Sequence, residues 1–258
     1  MNPVIEVEKL SKSYAQTKAV HDVSISVCRG EVFGLLGANG AGKSTTIECI
    51  LGTKKQDSGT VKILGMNPLA DRKRLFEKVG VQFQESNYQS SITVRELCKV
   101  TGSLYKAPTN YNDLLKRFGI FEKAKSKVAD LSRGQKQRLF IVLALIPNPE
   151  VVFLDELTTG LDSRARRDVW KCLEELKANG LTIFLTSHFM DEVEILCDRI
   201  MILKKGAIIF HGTALEAINA SPHDKLEDAY LWFTDDPGHS ADAELLGQAA
   251  REVENENI

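Results

Sequence analysis

The sequence lacks a cysteine pattern, which bears on both disulfides and metal sites. Its five cysteines are odd in number and scattered along 258 residues. None of them forms a CxxC pair or a Cys/His cluster with the spacing of metal ligands. We therefore expect free thiols in a reducing compartment and no structural zinc site.

The sequence also lacks a long hydrophobic run and an excess of basic charge. The longest apolar stretch, Leu139 to Pro147, is about half of the roughly 20 residues that a membrane-spanning helix needs. Charged side chains interrupt the N-terminal segment, which is not typical of a signal peptide. The net charge of -2 provides no basic field, so a nucleic acid is not expected as a partner. We expect a chain that does not cross a membrane by itself and has to dock if it works on one.

What the sequence does contain is the pattern of an α/β fold. Alternating apolar residues from Val4 to Val27 predict an antiparallel sheet, and later continuous apolar runs predict buried parallel strands. The predicted core strands, first to third, are Glu31–Leu36, Val151–Leu154 and Leu181–Thr186. The predicted helices that alternate with them are Thr45–Leu51, Ser163–Lys177 and Met190–Leu196. Residues from about 85 to 149 are predicted to be helical and inserted between the first and second core strands, and an antiparallel pair is expected around Ile200 to Phe210.

A glycine-rich loop follows the first core strand and matches GxxxxGK[ST]. Glycine allows several backbone N–H groups to point at one phosphate, and the helix that follows adds its dipole. We predict a site for a nucleoside triphosphate, in which Lys43 reaches the β- and γ-phosphates and Ser44 ligates Mg²⁺. The predicted nucleotide-binding residues of this loop are Gly37, Ala38, Asn39, Gly40, Ala41, Gly42, Lys43, Ser44 and Thr45.

Two carboxylates follow the second core strand. Asp155 comes directly after the apolar run, at the strand end where α/β sheets place ligands, and would hold Mg²⁺ through water. Glu156 comes next and can polarise the attacking water as a general base. These features are shared by kinases, GTPases, helicases and motor proteins.

A further segment separates these classes. Residues 131–135 read LSRGQ and precede an apolar helix, which resembles the LSGGQ signature motif of ATP-binding cassette (ABC) ATPases. Ser132 can cap that helix, and Gly134 permits a close approach to phosphate. The resemblance implies that Ser132, Gly134 and Gln135 contact the ATP bound by a second subunit, in a head-to-tail dimer with ATP in each interface.

Other elements of the ABC family occur in the family's order. Tyr14 resembles the aromatic residue that stacks on adenine, and Gln84 resembles the glutamine that senses Mg²⁺ and the γ-phosphate, with Gln82 as the alternative. Asp162 resembles the D-loop aspartate at the dimer seam. His188 resembles the switch histidine that contacts the γ-phosphate. The resemblance thus implies that Glu156, His188 and Gln84 are catalytic, and that Ser44, Gln84 and Asp155 serve the metal.

The resemblance covers residues 1–220 and implies a P-loop NTPase (RecA-like) core with an N-terminal antiparallel β-subdomain and an inserted α-helical signature subdomain. Residues 221–258 are predicted to be a C-terminal extension that is acidic and flexible from about 235. Two residues depart from the family pattern. Arg133 replaces a glycine of LSGGQ, and Leu157 replaces the proline usual after the catalytic glutamate, which frees the backbone beside Glu156.

The resemblance implies a transport motor. The chain would pair with a second copy of itself or with a paralogous ABC ATPase, at the cytoplasmic face of the cell membrane. The pair would drive a separate transmembrane permease, which residues from about Glu85 to Tyr105 would bind. Residues 158–167 and 187–194 are similar to the drug- and polysaccharide-exporter branch, and an importer is the alternative. A soluble ABC ATPase that acts on ribosomes or nucleic acid is the other class, and the single cassette and near-neutral charge disfavour it.

Overall fold

The structure of the chain, a computed structural model, describes residues 3–82 and 91–235. Within these ranges the chain forms two β-sheets with helices packed around them. The strands are β1 Pro3–Tyr14, β2 Thr17–Cys28, β3 Val32–Gly37, β4 Ser58–Ile63, β5 Val79–Gln82, β6 Val151–Leu154, β7 Thr182–Thr186, β8 Arg199–Lys204 and β9 Ala207–Gly212. The helices are α1 Lys43–Ile50, α2 Arg72–Leu75, α3 Val94–Ser103, α4 Tyr111–Arg117, α5 Arg133–Leu145, α6 Ser163–Ala178, α7 Met190–Leu196, α8 Ala214–Asn219 and α9 Leu226–Asp235.

The larger sheet carries the strands that lead into the candidate site. In the described part of the chain its order is β5-β6-β7-β3-β8-β9, with β9 antiparallel to β8 and the other neighbours parallel. Strands β3, β6 and β7 are buried along their whole length, as expected for strands covered on both faces. Because these parallel strands end at the same edge of the sheet, the residues that follow them come together there.

One strand of this sheet, β5, was not predicted. Strand β5 precedes the helical block, and the block lies between β3 and β6, the first and second predicted core strands. With the sequence VGVQ, β5 offers no continuous apolar run. A side chain at Gly80 would overlap with the Ala144 carbonyl oxygen of α5, so the glycine allows helix and strand to pack closely.

The smaller sheet covers one face of the core. Its order is β2-β1-β4, antiparallel throughout, so the predicted N-terminal sheet is confirmed and has a third strand that was not predicted. Side chains of β6 alternate between the two faces of the larger sheet. Val151 and Phe153 pack towards the smaller sheet and α1, whereas Val152 and Leu154 pack towards the helical block and α6.

Helices occupy the other face and the C-terminal end. Helix α3 begins at a capping box formed by Thr93 and Glu96, and α5 begins at another formed by Ser132 and Gln135. Helix α9 buries Phe233 against strands β8 and β9 of the larger sheet, so the first part of the predicted C-terminal extension is packed. Of the helices in the described ranges, none has the length and hydropathy to span a membrane.

Candidate nucleotide site

The glycine loop connects β3 to α1. Gly37, Gly40 and Gly42 have φ values of 153°, 81° and 107°, which glycine adopts at little cost. Gly42 is the N-cap of α1, and a Cβ there would overlap with the Ala19 carbonyl oxygen. Residues 38–40, at the tip of the loop, are exposed. The loop therefore has a bare backbone at a helix N-terminus, which is the arrangement that phosphate requires.

Lys43 opens α1 and folds back over this loop. Its Nζ donates hydrogen bonds to the carbonyl oxygens of Gly37 at 2.6 Å and Ala38 at 3.2 Å. Burial lowers the pKa of Lys43, and the nearby carboxylates of Asp155 and Glu156 act in the opposite direction. The positive charge thus lies inside the loop and within electrostatic reach of both carboxylates.

Asp155 follows β6 and is buried. Its Oδ1 accepts a hydrogen bond from the Thr186 hydroxyl at 2.5 Å. Burial raises the pKa of Asp155 despite that hydrogen bond. A carboxylate in such surroundings suits a site that receives a cation, and the exposed Ser44 at the start of α1 adds a hydroxyl. Both residues offer the oxygen ligands that Mg²⁺ prefers.

Glu156 adopts the left-handed backbone region, with φ of 51°. A non-glycine residue reaches this region at a cost of about 1–3 kcal/mol and keeps it only where neighbours hold it. The Thr186 hydroxyl accepts from Glu156 N at 2.8 Å, and Thr186 O accepts from Leu157 N at 3.3 Å. Gln137 Nε2 donates to Glu156 O at 3.0 Å and to Leu157 O at 2.7 Å. The backbone beside the predicted base is therefore held from two sides.

The Glu156 carboxylate lies beside His188. His188 Nε2 is 3.2 Å from Glu156 Oε1, and the Thr159 hydroxyl donates to Glu156 Oε2 at 3.3 Å. His188 follows β7 and Glu156 follows β6, so the meeting of these two side chains results from the parallel pairing of the two strands. The structure thus brings together the residues predicted on three separate strand ends: Lys43, Asp155 with Glu156, and His188.

The first turn of α5 carries the predicted signature residues. Ser132 caps the helix by accepting from Gln135 N, while the Gln135 side chain accepts from Ser132 N at 3.0 Å. A Cβ at Gly134 would lie 3.0 Å from the Gly160 carbonyl oxygen, so this turn packs closely on the loop that follows β6. Arg133, the departure from LSGGQ, is exposed, and its aliphatic carbons lie against Gly160.

Asp162 and Tyr14 lie at the margins of this site. Asp162 is the N-cap of α6 and accepts from Ala165 N at 2.8 Å. Tyr14 ends β1 and is 43% exposed, with Lys54 Nζ 5.3 Å from the centre of its ring. The β1–β2 hairpin that carries Tyr14 touches the glycine loop through Ala19, while the described ring contacts of Tyr14 are with lysines.

Gln84 lies outside the described residues, so its predicted role stays a prediction. The alternative, Gln82, ends β5 and points towards the strand beside it. Gln82 Nε2 donates to Asp155 O at 3.0 Å, and Gln82 O accepts from Asp155 N at 3.1 Å. The described contacts of Gln82 therefore hold the backbone at Asp155.

Two residues that hold the site were not predicted from the sequence. Thr186 contacts both Asp155 and Glu156, and its place at the end of a buried strand, two residues before His188, is a usable signal. Gln137 follows the signature motif, but its partners are 19 and 20 residues away in sequence. No local pattern identifies such partners.

The chain is similar in sequence to known proteins. The family model described as ABC transporter matches residues 20–159. A Nod factor export ATP-binding protein I from Rhizobium johnstonii is 41% identical over 82% of this chain and 70% of that protein. A Nod factor export ATP-binding protein I from Mesorhizobium japonicum is 42% identical over 81% of this chain and 63% of that protein.

Solved structures show the same fold. An ATP-binding subunit of an ABC transporter superimposes with a TM-score of 0.81 at 28% identity, covering 89% of this chain and 99% of that one. A dimeric ATP-binding cassette in a post-hydrolysis state with ADP and Pi has a TM-score of 0.74 at 25% identity, covering 81% of this chain and 98% of that one. The α/β core with its N-terminal antiparallel sheet and helical block is therefore the architecture of these cassettes.

Proposed function

Because this chain belongs to the ABC transporter family, we propose that it is the ATP-hydrolysing subunit of an exporter and works as a dimer on a separate transmembrane permease. Cassettes of this family bind ATP and hydrolyse it to power transport. One observation carries the proposal: His188 lies 3.2 Å from Glu156, beside a buried lysine in a glycine loop.

The chain's own residues would divide the reaction between them. Lys43 and the backbone of residues 37–45 would bind the β- and γ-phosphates, and Tyr14 would stack on adenine. Glu156 would hold the attacking water and accept its proton at a carboxylate oxygen. His188, in contact with that carboxylate, would orient it and contact the γ-phosphate.

A magnesium ion bound with ATP would offset the phosphate charge and orient the γ-phosphate for attack. Ser44 and Asp155 would hold this ion, Asp155 through water, and Gln84 would complete the set. The burial that raises the pKa of Asp155 supports this assignment, because a cation would restore the charged form of the carboxylate.

A second copy of the chain, or a paralogous cassette, would complete each site. Ser132, Gly134 and Gln135 would face the γ-phosphate bound by the partner, and Asp162 would lie along the seam. The capping box at Ser132 supports this role, because it fixes a helix N-terminus that is exposed and open to an anion. The dimeric cassette among the structural neighbours supports the same arrangement.

Export through a membrane partner is the proposed task of the dimer, at the cytoplasmic face of the membrane. The names of the Nod factor export relatives support the direction. Helix α3 of the helical block has two exposed apolar side chains, Val100 at 54% and Leu104 just past its end at 73%. They support docking of a permease segment on this part of the chain, because positions four residues apart on a helix are neighbours and can form one exposed apolar surface.

The proposal is tested with Glu156→Gln, which keeps the shape of the side chain and removes the base. We expect ATP turnover to fall about a hundredfold or more, because general base catalysis contributes at least that much. We also expect ATP to trap the variant as a dimer in size-exclusion chromatography. The matched control is Glu150→Gln, at the other end of β6, where exposed ion pairs with Arg29 and Lys78 contribute little. Normal turnover in Glu156→Gln, or a chain that stays monomeric with ATP, would contradict the proposal.

A further inference from the structure

Three residues hold the peptide groups on either side of Glu156. Gln82 of β5 binds both backbone polar groups of Asp155, and Thr186 of β7 accepts from the N–H groups of Glu156 and Leu157. The carbonyl groups of Glu156 and Leu157 accept from Gln137 Nε2. Of these three holding residues, Gln137 is the one that belongs to the helical block.

Gln137 makes both hydrogen bonds with one amide nitrogen. Its Nε2 donates one N–H to Glu156 O at 3.0 Å and the other to Leu157 O at 2.7 Å. Both partners are acceptors, so only the nitrogen end of the amide can face them. The peptide group that joins Glu156 to Leu157 directly follows the strained conformation of Glu156, whose φ is 51°.

The same helix touches the same loop at its first turn. Gly134 approaches the Gly160 carbonyl closely, and the carbons of Arg133 cover Gly160. Residues 133–137 of α5 therefore lie along residues 156–160. Ser132 and Gln137 are separated by five residues of one helix, a rise of about 7.5 Å, which moves as a rigid piece.

We infer that Gln137 is a positioning residue that couples the two half-sites of a subunit, because it fixes the Glu156 backbone to the helix whose first turn faces the partner's nucleotide. The inference rests on the proposed function. The ATP bound by the partner contacts Ser132 and so sets the position of α5. Through its two hydrogen bonds, Gln137 then sets the position of Glu156, the general base of the subunit's own site. Gln137 therefore acts on the reaction through the Glu156 backbone.

The test is Gln137→Met, which keeps the length of the side chain and removes both donors. We expect kcat for ATP to fall about tenfold or more, with KM unchanged, because a misplacement of less than 1 Å impairs catalysis without affecting binding. Gln137→Glu should be at least as impaired, because its carboxylate can only accept hydrogen bonds and would face two carbonyl oxygens, which are also acceptors. A further readout is independent of turnover: Glu156→Gln with Gln137→Met should form the ATP-bound dimer as fully as Glu156→Gln alone.

The matched control is Arg138→Met, the next residue of α5. Arg138 also donates to two carbonyl oxygens, those of Phe118 and Gly119, but they lie within the helical block. This variant should lose comparable stability in urea unfolding and keep the wild-type kcat. A wild-type kcat in Gln137→Met, or loss of the ATP-bound dimer in the double variant, would overturn the inference. An inactive wild-type chain would instead contradict the proposed function.

Discussion

The loop after β3 and the loop after β6 leave the same edge of the sheet, and both use positive φ, but they achieve it differently. The first loop uses glycine at positions 37, 40 and 42. The second places Glu156 at φ of 51° and holds it through Thr186 and Gln137. A loop that offers backbone N–H groups can dispense with side chains, whereas a loop that offers a carboxylate cannot. The second loop therefore depends on its neighbours for a conformation that the first has by composition.

The largest effect should come from placing a side chain in the first loop. Gly42→Ala adds a Cβ that overlaps with the Ala19 carbonyl oxygen at φ of 107°, so backbone strain and overlap add. We expect a loss of about 2–5 kcal/mol in the free energy of unfolding, together with loss of ATP binding, measured by urea unfolding and by calorimetry.

Gly180→Ala is the matched control for this variant. Gly180 has φ of 91° between α6 and β7, and a Cβ there meets nothing within 4 Å. It should cost only the strain, about 1 kcal/mol, and leave ATP binding intact. Equal losses of stability in the two variants would show that the contact with Ala19 does not constrain the first loop.

A smaller effect is expected where the second loop loses a holding residue. Thr186→Val keeps the shape of a fully buried side chain and removes the hydroxyl that serves Asp155 and Glu156. We expect a loss of about 2 kcal/mol of stability and a fall in kcat, because the backbone at Glu156 loses a partner. Thr182→Val, on the same strand, is the control.

Thr182 is also fully buried, and its hydroxyl accepts from Gly30 N at 2.9 Å, at the opposite end of β7. Thr182→Val should destabilise the chain by about 1 kcal/mol and leave kcat unchanged. If Thr186→Val turned over ATP at the wild-type rate, the second loop would not need its side-chain supports, and the contrast between the loops would fail.

The same contrast explains which parts were predictable from the sequence. The glycine loop is local: its glycines, Lys43 and the flanking strand and helix are adjacent in the chain, so its pattern predicts its conformation. Asp155 and Glu156 were predicted because they follow a buried apolar strand, and His188 was predicted because it resembles the switch histidine of the family. Their proximity depends on the order of strands in the sheet, which the residues alone do not give and the family resemblance implied.

The parts that were not predicted depend on contacts between distant segments. Strand β5 is short and contains Gly80 and Gln82, so its identity as a core strand comes from pairing with β6 and from the close approach of α5. Gln137 looks like any polar residue on a helix until the carbonyls of Glu156 and Leu157 are placed beside it. Such roles arise from tertiary packing.

The second loop also lies beside a buried acid, and the titration of this acid makes the stability of the chain depend on pH. Glu192 of α7 is fully buried, and its Oε1 accepts from Trp170 Nε1 at 2.8 Å. Burial is the main cause that raises the pKa of Glu192, and Asp191 adds to it, while the neighbouring Ser187, Trp170 and Thr158 act in the opposite direction. Thr158 belongs to the second loop, so this loop lies beside the Glu192 carboxyl group, whose pKa is above its ordinary value.

The smallest expected effect is the loss of this pH dependence in Glu192→Gln. The folded pKa exceeds the unfolded value of 4.5, so the folded chain binds more protons, and the free energy of unfolding falls as pH rises from 4.5 through the folded pKa. The variant cannot titrate there, so its unfolding free energy should fall less steeply in urea unfolding from about pH 4 to about pH 8. Glu194→Gln, at an exposed position of the same helix, should run parallel to wild type. If the free energy of unfolding fell with pH equally steeply in Glu192→Gln and in wild type, Glu192 would be charged in the folded chain and would not titrate in this range.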